Sequence, residues 1–241
     1  MIKAIISVDK TGKWIEKRNP NGLMKFPFAI CLDKNNNIYI GDNGHKCIFV
    51  FDHRFKHLRC FAQNLLNGFN DMVIDNTGTI LYTCNIYDSI VISIDIKKNV
   101  IINSVRVSSP QFISLLHNAI VVLTANDKIN IISIATFKVK FRFEIKHSKY
   151  LNALCTYKAL DAVFLTCHEV LADKTKSKNV YLCVIKVANH RTAYTKKIYL
   201  DINQVNDMIL TNTSMVCVSD THVVVFRYND VEGLLKWSIN D

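Results

Sequence analysis

Glycine and proline are scarce, 7 and 3 among 241 residues. Collagen-like repeats and Pro- or Gly-rich linkers are excluded by that alone. Acidic residues are also under-represented: 20 stand against 30 Lys and Arg, a formal net charge of +10. A surplus of that size biases the surface toward acidic partners. Long apolar runs are missing as well. The longest apolar run without a charge lies near Ile113 to Ala125 and is interrupted by His117 and Asn118. A membrane-spanning helix would need ~18 apolar residues in succession. The N-terminal apolar run is bracketed by Lys3 and Asp9, too short for the core of a secretory signal. A soluble, cytoplasmic chain with no membrane partner is expected.

Metal-ligand spacing is absent too. The eight cysteines, Cys31, Cys47, Cys60, Cys84, Cys155, Cys167, Cys183 and Cys217, contain no C-x-x-C pair. Most sit at apolar strand positions, where a free thiol behaves as a small hydrophobe. Cys167 and His168 are adjacent, but successive strand residues point to opposite faces. Cys47 and Cys60 flank the turn at His53 and Arg54 at matching distances. They are expected to face each other across neighbouring strands and to stay reduced. No Gly-x-Ser-x-Gly, Walker or His-Glu-x-x-His motif occurs. No catalytic residue, metal or cofactor is assigned, and the chain is expected not to be an enzyme or to take a small-molecule substrate.

What is present is strand. Hydrophobic residues make up 49% and charged residues 21%, a globular composition. Runs such as Asn37 to Ile40, Lys46 to Phe51, Ile90 to Ile94, Ile120 to Leu123 and Val180 to Ile185 alternate with Asn, Asp, Gly and Lys clusters. They repeat as a unit. Phe69 to Gly78 parallels Val205 to Ser214, and an earlier copy lies at Pro27 to Asn36, about 42 residues before the first of these. A period of ~40–45 residues with four strands each predicts an all-β propeller of four-stranded blades. One propeller domain over 1–241 is expected, with blades at 18–61, 62–107, 108–145, 146–201 and 202–241. Residues 1–17 add half a blade, and the fourth full blade is lengthened by an insertion at Leu171 to Asn179. Six blade positions with one incomplete is the preferred count, ahead of five blades and an extra hairpin.

One segment is more specific. Phe26-Pro27-Phe28-Ala29-Ile30-Cys31-Leu32-Asp33, the Asn35 to Asn37 turn, Ile38-Tyr39-Ile40-Gly41-Asp42, and the strand ending Phe51-Asp52 together resemble an NHL repeat, with Gly41 where the pattern usually has Ala. Gly68 to Asp95 follows it more loosely, with Thr83-Cys84-Asn85 in place of Ala-Asp. The last repeat keeps Ser219-Asp220-Thr221-His222. Asp33, Asp75 and Asp161 are read as turn carboxylates that satisfy backbone N–H groups, and Asp42 and Asp220 as doing the same after the second strand. These aspartates are read as scaffold, with Asp71 and Asp207, at matching positions in different repeats, kept as the alternative candidates to line the axial channel.

The chain is thus similar to the C-terminal propellers of tripartite-motif proteins. That resemblance implies a recognition platform for a protein partner, of the kind that serves as the substrate-recognition part of a ubiquitin-ligase-type protein. RNA binding is the alternative, and a metal-dependent lyase or lactonase a distant third. The binding face would carry the loops from second to third strand and those between blades. From the first set come Asn43, His45, Lys46, Tyr87, Lys128, Lys174, Lys176 and His222. From the second come Arg18, Lys25, Asn70, His147, Lys149 and Tyr150. Cations on phosphate, amides on base edges and stacked rings are how single-stranded RNA is held. A positive charge focused on this face would favour RNA, and a mixed one protein.

Overall fold

The computed structural model describes residues 4–8, 14–18, 23–144, 150–157, 162–169, 179–188, 191–200, 205, 207–210, 214–218 and 223–227. Among them there is no helix. Strands β1 (Ala4–Val8) and β2 (Trp14–Arg18) form an antiparallel hairpin with Ala4 opposite Arg18. Then come four meanders of four strands each. The first is β3 (Pro27–Leu32), β4 (Ile38–Asp42), β5 (Cys47–Phe51) and β6 (His57–Phe61). The second is β7 (Asp71–Ile74), β8 (Ile80–Asn85), β9 (Ile90–Asp95) and β10 (Val100–Arg106). The third is β11 (Pro110–Leu116), β12 (Ala119–Thr124), β13 (Lys128–Ser133) and β14 (Val139–Glu144). The fourth is β15 (Tyr150–Tyr157), β16 (Ala162–Glu169), β17 (Asn179–Ala188) and β18 (Arg191–Leu200). A last sheet has three strands among the described residues, β19 (Asp207–Leu210), β20 (Ser214–Val218) and β21 (Val223–Arg227).

This is the all-β architecture of successive four-stranded antiparallel sheets that the repeat predicts, and the sheet count agrees with near-complete blades plus a half. The chain divides into two compact units, Met1–Ile113 and Ser114–Asp241.

Burial explains the strand sequences. The middle strands β4 (IYIGD) and β5 (CIFVF) are buried at every position, so both faces are apolar and alternation disappears. The outer strands read differently: β10 is exposed over most of its length, and β14 alternates between exposed and half-buried residues. In the first unit, Ile48, Val50 and Phe61 pack with Phe69, Met72, Leu81, Ile92 and Ile94 in one apolar layer. Met24, Ile38, Ile40, Cys47, Phe49 and Phe51 form a second layer. In the second unit, Ile120 to Leu123, Ile129, Ile132, Phe164 and Leu165 are fully buried.

Each outer strand of the four-stranded sheets carries one bulge. The register skips Leu58 in β6, Ile102 in β10, Lys140 in β14 and Thr195 in β18. An extra residue twists the strand and spoils its free edge as a template for another chain.

Candidate binding surface

The turn after the second strand is built the same way in successive sheets, by one buried polar residue that ends that strand. Asp42 is fully buried. Its Oδ1 accepts the His45 N–H at 2.8 Å, and its Oδ2 accepts the N–H groups of Lys25 (2.8 Å) and Phe26 (2.9 Å). The carboxylate therefore fastens the turn to the segment that enters the sheet. Asn85 has the same place at the end of β8. Its Oδ1 accepts the N–H groups of Tyr87 (2.7 Å) and Asp88 (3.1 Å), while its Nδ2 donates to the Gly68 carbonyl at 2.6 Å. In β12 it is Thr124, whose hydroxyl accepts the Lys128 N–H at 3.3 Å and donates to the Lys128 carbonyl at 3.2 Å. The turn carboxylates Asp33 and Asp75 each accept several backbone N–H groups as well.

Two of the predicted contact residues are consumed by this scaffold. Asn43 Oδ1 accepts the Phe69 N–H at 2.6 Å, and Asn70 Oδ1 accepts the Ile86 N–H at 2.7 Å. Asn43 ties the first sheet to the segment entering the second, and Asn70 ties the start of β7 to the turn after β8 within one sheet. Asp71, offered as a channel carboxylate, accepts the Ile113 N–H at 2.8 Å. Others remain on the surface but are partnered. The His45 ring nitrogen lies 3.2 Å from Asp42 Oδ1, and Lys46 Nζ donates to Asn67 Oδ1 at 3.2 Å. Lys128, in the second unit, sits 2.9 Å from Glu144 Oε1. Lys25 is exposed, its stem crossing directly over Gly44, where a Cβ would come within 2.7 Å of Lys25 Cβ. Tyr87 stands 77% exposed. Arg18 falls in β2 and Tyr150 in β15, with nothing described of either side chain. His147, Lys149, Lys174, Lys176, His222, Asp161 and most of the Leu171 to Asn179 insertion lie outside the described residues, as does Asp220.

Within the first unit the surviving residues do come together. Asn67 binds Asp88 twice, N–H to Oδ2 at 3.1 Å and Nδ2 to Oδ1 at 2.7 Å. A line of contacts therefore runs from Lys46 through Asn67 to Asp88, next to Tyr87. Asn67 and Asp88 also border an open groove of about 290 Å³, whose other walls are Asn64, Leu65, Leu66, Ile90, Ile92, Ile101 and Ser104. The charge here is mixed. Most outer-strand cations lie elsewhere: Lys56, Arg59, Lys138, Lys140 and Arg142 on or beside β6 and β14. Arg59 is itself engaged, donating to the Ile96 carbonyl at 3.1 Å.

One cluster escaped sequence reasoning. Cys47 and Cys60 are both free thiols. His57 opens β6 and has its Nε2 3.4 Å from Cys60 Sγ. Burial, then the neighbouring Cys60 and Asp42, push the Cys47 thiol up to about 12. Burial also raises Cys60, partly offset by the hydrogen bond from Cys47. Only the bulge at Leu58 could have signalled this grouping, and bulges leave little trace in a sequence. No group of metal-ligating side chains occurs among the described residues.

The NHL repeat family matches residues 25–51, the segment whose Asp42 staple is described above. No curated protein matches the chain by sequence. Solved structures of similar fold include the hydrazine synthase of Kuenenia stuttgartiensis, 14% identical over 97% of this chain and 73% of that one, with a TM-score of 0.72. Virginiamycin B lyase from Staphylococcus aureus is 10% identical over 93% of this chain and 87% of that one, with a TM-score of 0.62. The Neurospora crassa Pan2 WD40 domain is 12% identical over 86% and 77%, with a TM-score of 0.57.

The fold is a β-propeller of the NHL and WD40 kind. The expectation that the chain is not an enzyme is corrected here, because a synthase and a lyase share this fold. Missing linear motifs are a poor basis for excluding catalysis in a propeller. Site residues on separate blades are assembled by the fold and need have no fixed spacing along the chain.

Proposed function

We propose that the turns of the first unit form a protein-recognition surface. The observation that carries this is Tyr87, exposed for 77% of its area in the turn that leads into a groove with Leu65, Ile90 and Ile101 on its walls and Asn67 and Asp88 on its border. An exposed tyrosine beside an apolar depression with a polar border is the usual make-up of a protein-binding hot spot. The mixed charge supports protein over RNA: Lys46 is bonded to Asn67, and Asp88 stands where a phosphate would be repelled. Likeness to tripartite-motif propellers extends the reading to a cytoplasmic chain that selects substrates for a ubiquitin-ligase assembly.

The test is a photo-crosslinking residue placed at position 87, paired with Tyr87→Ala. A partner that crosslinks at 87 and whose affinity falls about tenfold or more in Tyr87→Ala, at unchanged melting temperature, supports the reading. A partner bound equally well by Tyr87→Ala removes it. Binding of single-stranded RNA with a salt slope that flattens in Lys46→Ala would replace it with the nucleic-acid reading.

A further inference from the structure

We infer that Cys60, Cys47 and His57 form a peroxide-sensitive dithiol site, in which Cys60 is oxidised first and Cys47 resolves it. The placement follows from strand register. Cys60 pairs with Phe49 across β5 and β6, so it shares a face with Cys47, Phe49 and Phe51, and lies diagonally across from Cys47. The Cys47 thiol donates a hydrogen bond to Cys60 Sγ. His57 precedes Cys60 by three residues, and in a regular strand that odd separation would turn the two to opposite faces. The bulge at Leu58 reverses the parity and aims the imidazole at the thiol, 3.4 Å away. Such re-aiming is a recognised use of bulges. The ring is held by Phe49 and Phe51, with centroids at 5.7 and 5.5 Å.

Exposure assigns the order. Cys60 is half-buried and reachable, whereas Cys47 is 2% exposed. The co-reactant is a hydroperoxide. His57 Nε2 takes the Cys60 proton, and the thiolate attacks one peroxide oxygen. The O–O bond breaks, and the departing oxygen recovers that proton from His57 and leaves as water or an alcohol. Cys60 is now a sulfenic acid. Cys47 Sγ then attacks Cys60 Sγ; the S–S bond forms, the S–O bond breaks, and the hydroxide leaves with the Cys47 proton as water. Two thiols lose two electrons and the peroxide gains them. The product ties β5 to β6 covalently at the residue directly after the turn that carries Lys46.

The experiment treats the folded chain with hydrogen peroxide, blocks residual thiols under denaturing conditions and maps peptides without reduction. The expected result is a Cys47–Cys60 cross-link, about 2 Da lighter than the dithiol, that dithiothreitol reverses. Cys47→Ser should instead accumulate a sulfenic acid on Cys60 that dimedone traps. His57→Gln, with its fold checked by melting temperature, should slow the oxidation about tenfold or more. The inference is overturned if Cys47 and Cys60 both remain alkylatable after peroxide. It is overturned equally if a folded His57→Gln chain oxidises at the parent rate, or if dimedone fails to label Cys60 in Cys47→Ser.

Discussion

Asp42 and Asn85 hold the same station at the end of the second strand, yet they need opposite chemistry. Every backbone group bonded to Asp42 is an N–H donor, so a carboxylate suits it. Asn85 must also donate, to the Gly68 carbonyl, so only an amide serves. Asp42→Asn turns an NH₂ toward backbone donors, and Asn85→Asp sets a carboxylate against a carbonyl oxygen. Each near-isosteric swap should cost about 1–3 kcal/mol, because a buried polar group loses its partner; denaturant titration of both variants checks this. The surface carboxylates Asp33 and Asp75 behave differently. Desolvation pulls their pKa values up, but hydrogen bonds outweigh it and hold both below 3.8. For Asp33 these come from the Asn37 side chain and the N–H groups of Asn37 and Asn35. For Asp75 they come from Thr77 and the N–H groups of Thr79 and Ile80. The folded chain then binds these protons less tightly than the unfolded chain. Their stabilisation is complete above the unfolded value and drains away as pH falls through the folded one. Acid unfolding should therefore steepen below about pH 4, and the Asp33→Asn, Asp75→Asn double variant should flatten that limb while being less stable at neutral pH.

At the scale of the strand, contacts between sheets decide which small residues are obligatory. Position 41 is glycine where the repeat usually carries alanine. The reason lies one sheet away: a Cβ there would sit 2.7 Å from Phe69 Cβ and 3.2 Å from Met72 Sδ. Phe69 is fully buried in the layer between the two sheets and cannot retreat. Gly41→Ala should destabilise by about 1–3 kcal/mol through overpacking, readable as a fall in melting temperature. The outer strands are governed by their edges instead. Val100, Ile101 and Ile102 are exposed on β10, and the bulge at Ile102 interrupts the regular ladder that such an edge would offer to another strand. Ile102→Lys should leave stability within about 0.5 kcal/mol and raise solubility. Deleting Ile102 restores a regular ladder, and should make the chain self-associate in light scattering. Strand existence was legible in the sequence because alternation and turn residues are local signals. The bulges were not, since an extra residue is defined only against a partner strand.

For the whole chain, the far-UV circular dichroism should be that of strand with little helix; a helical signal above about a fifth of residues would contradict the fold. The repeat, the all-β class, the turn roles of Asp33, Asp75 and Asp42, and the burial of most cysteines could be read from residue order alone, because each depends on neighbours within a few positions or on a regular period. The candidate surface could be read only in outline. Lys, Asn and Tyr in turns announced a face, but Asn43 proved to tie one sheet to the next and Asn70 to tie two segments of its own sheet, and Lys46 and Lys128 already hold partners 21 and 16 residues away. The grouping of His57 with Cys60 and Cys47 depends on one bulge, and the exclusion of catalysis failed because a propeller gathers its groups from separate blades. Composition and period dictate which strands form. Which side chains then meet is set by register and by packing between sheets, and those are properties of pairs of elements rather than of any one stretch of chain.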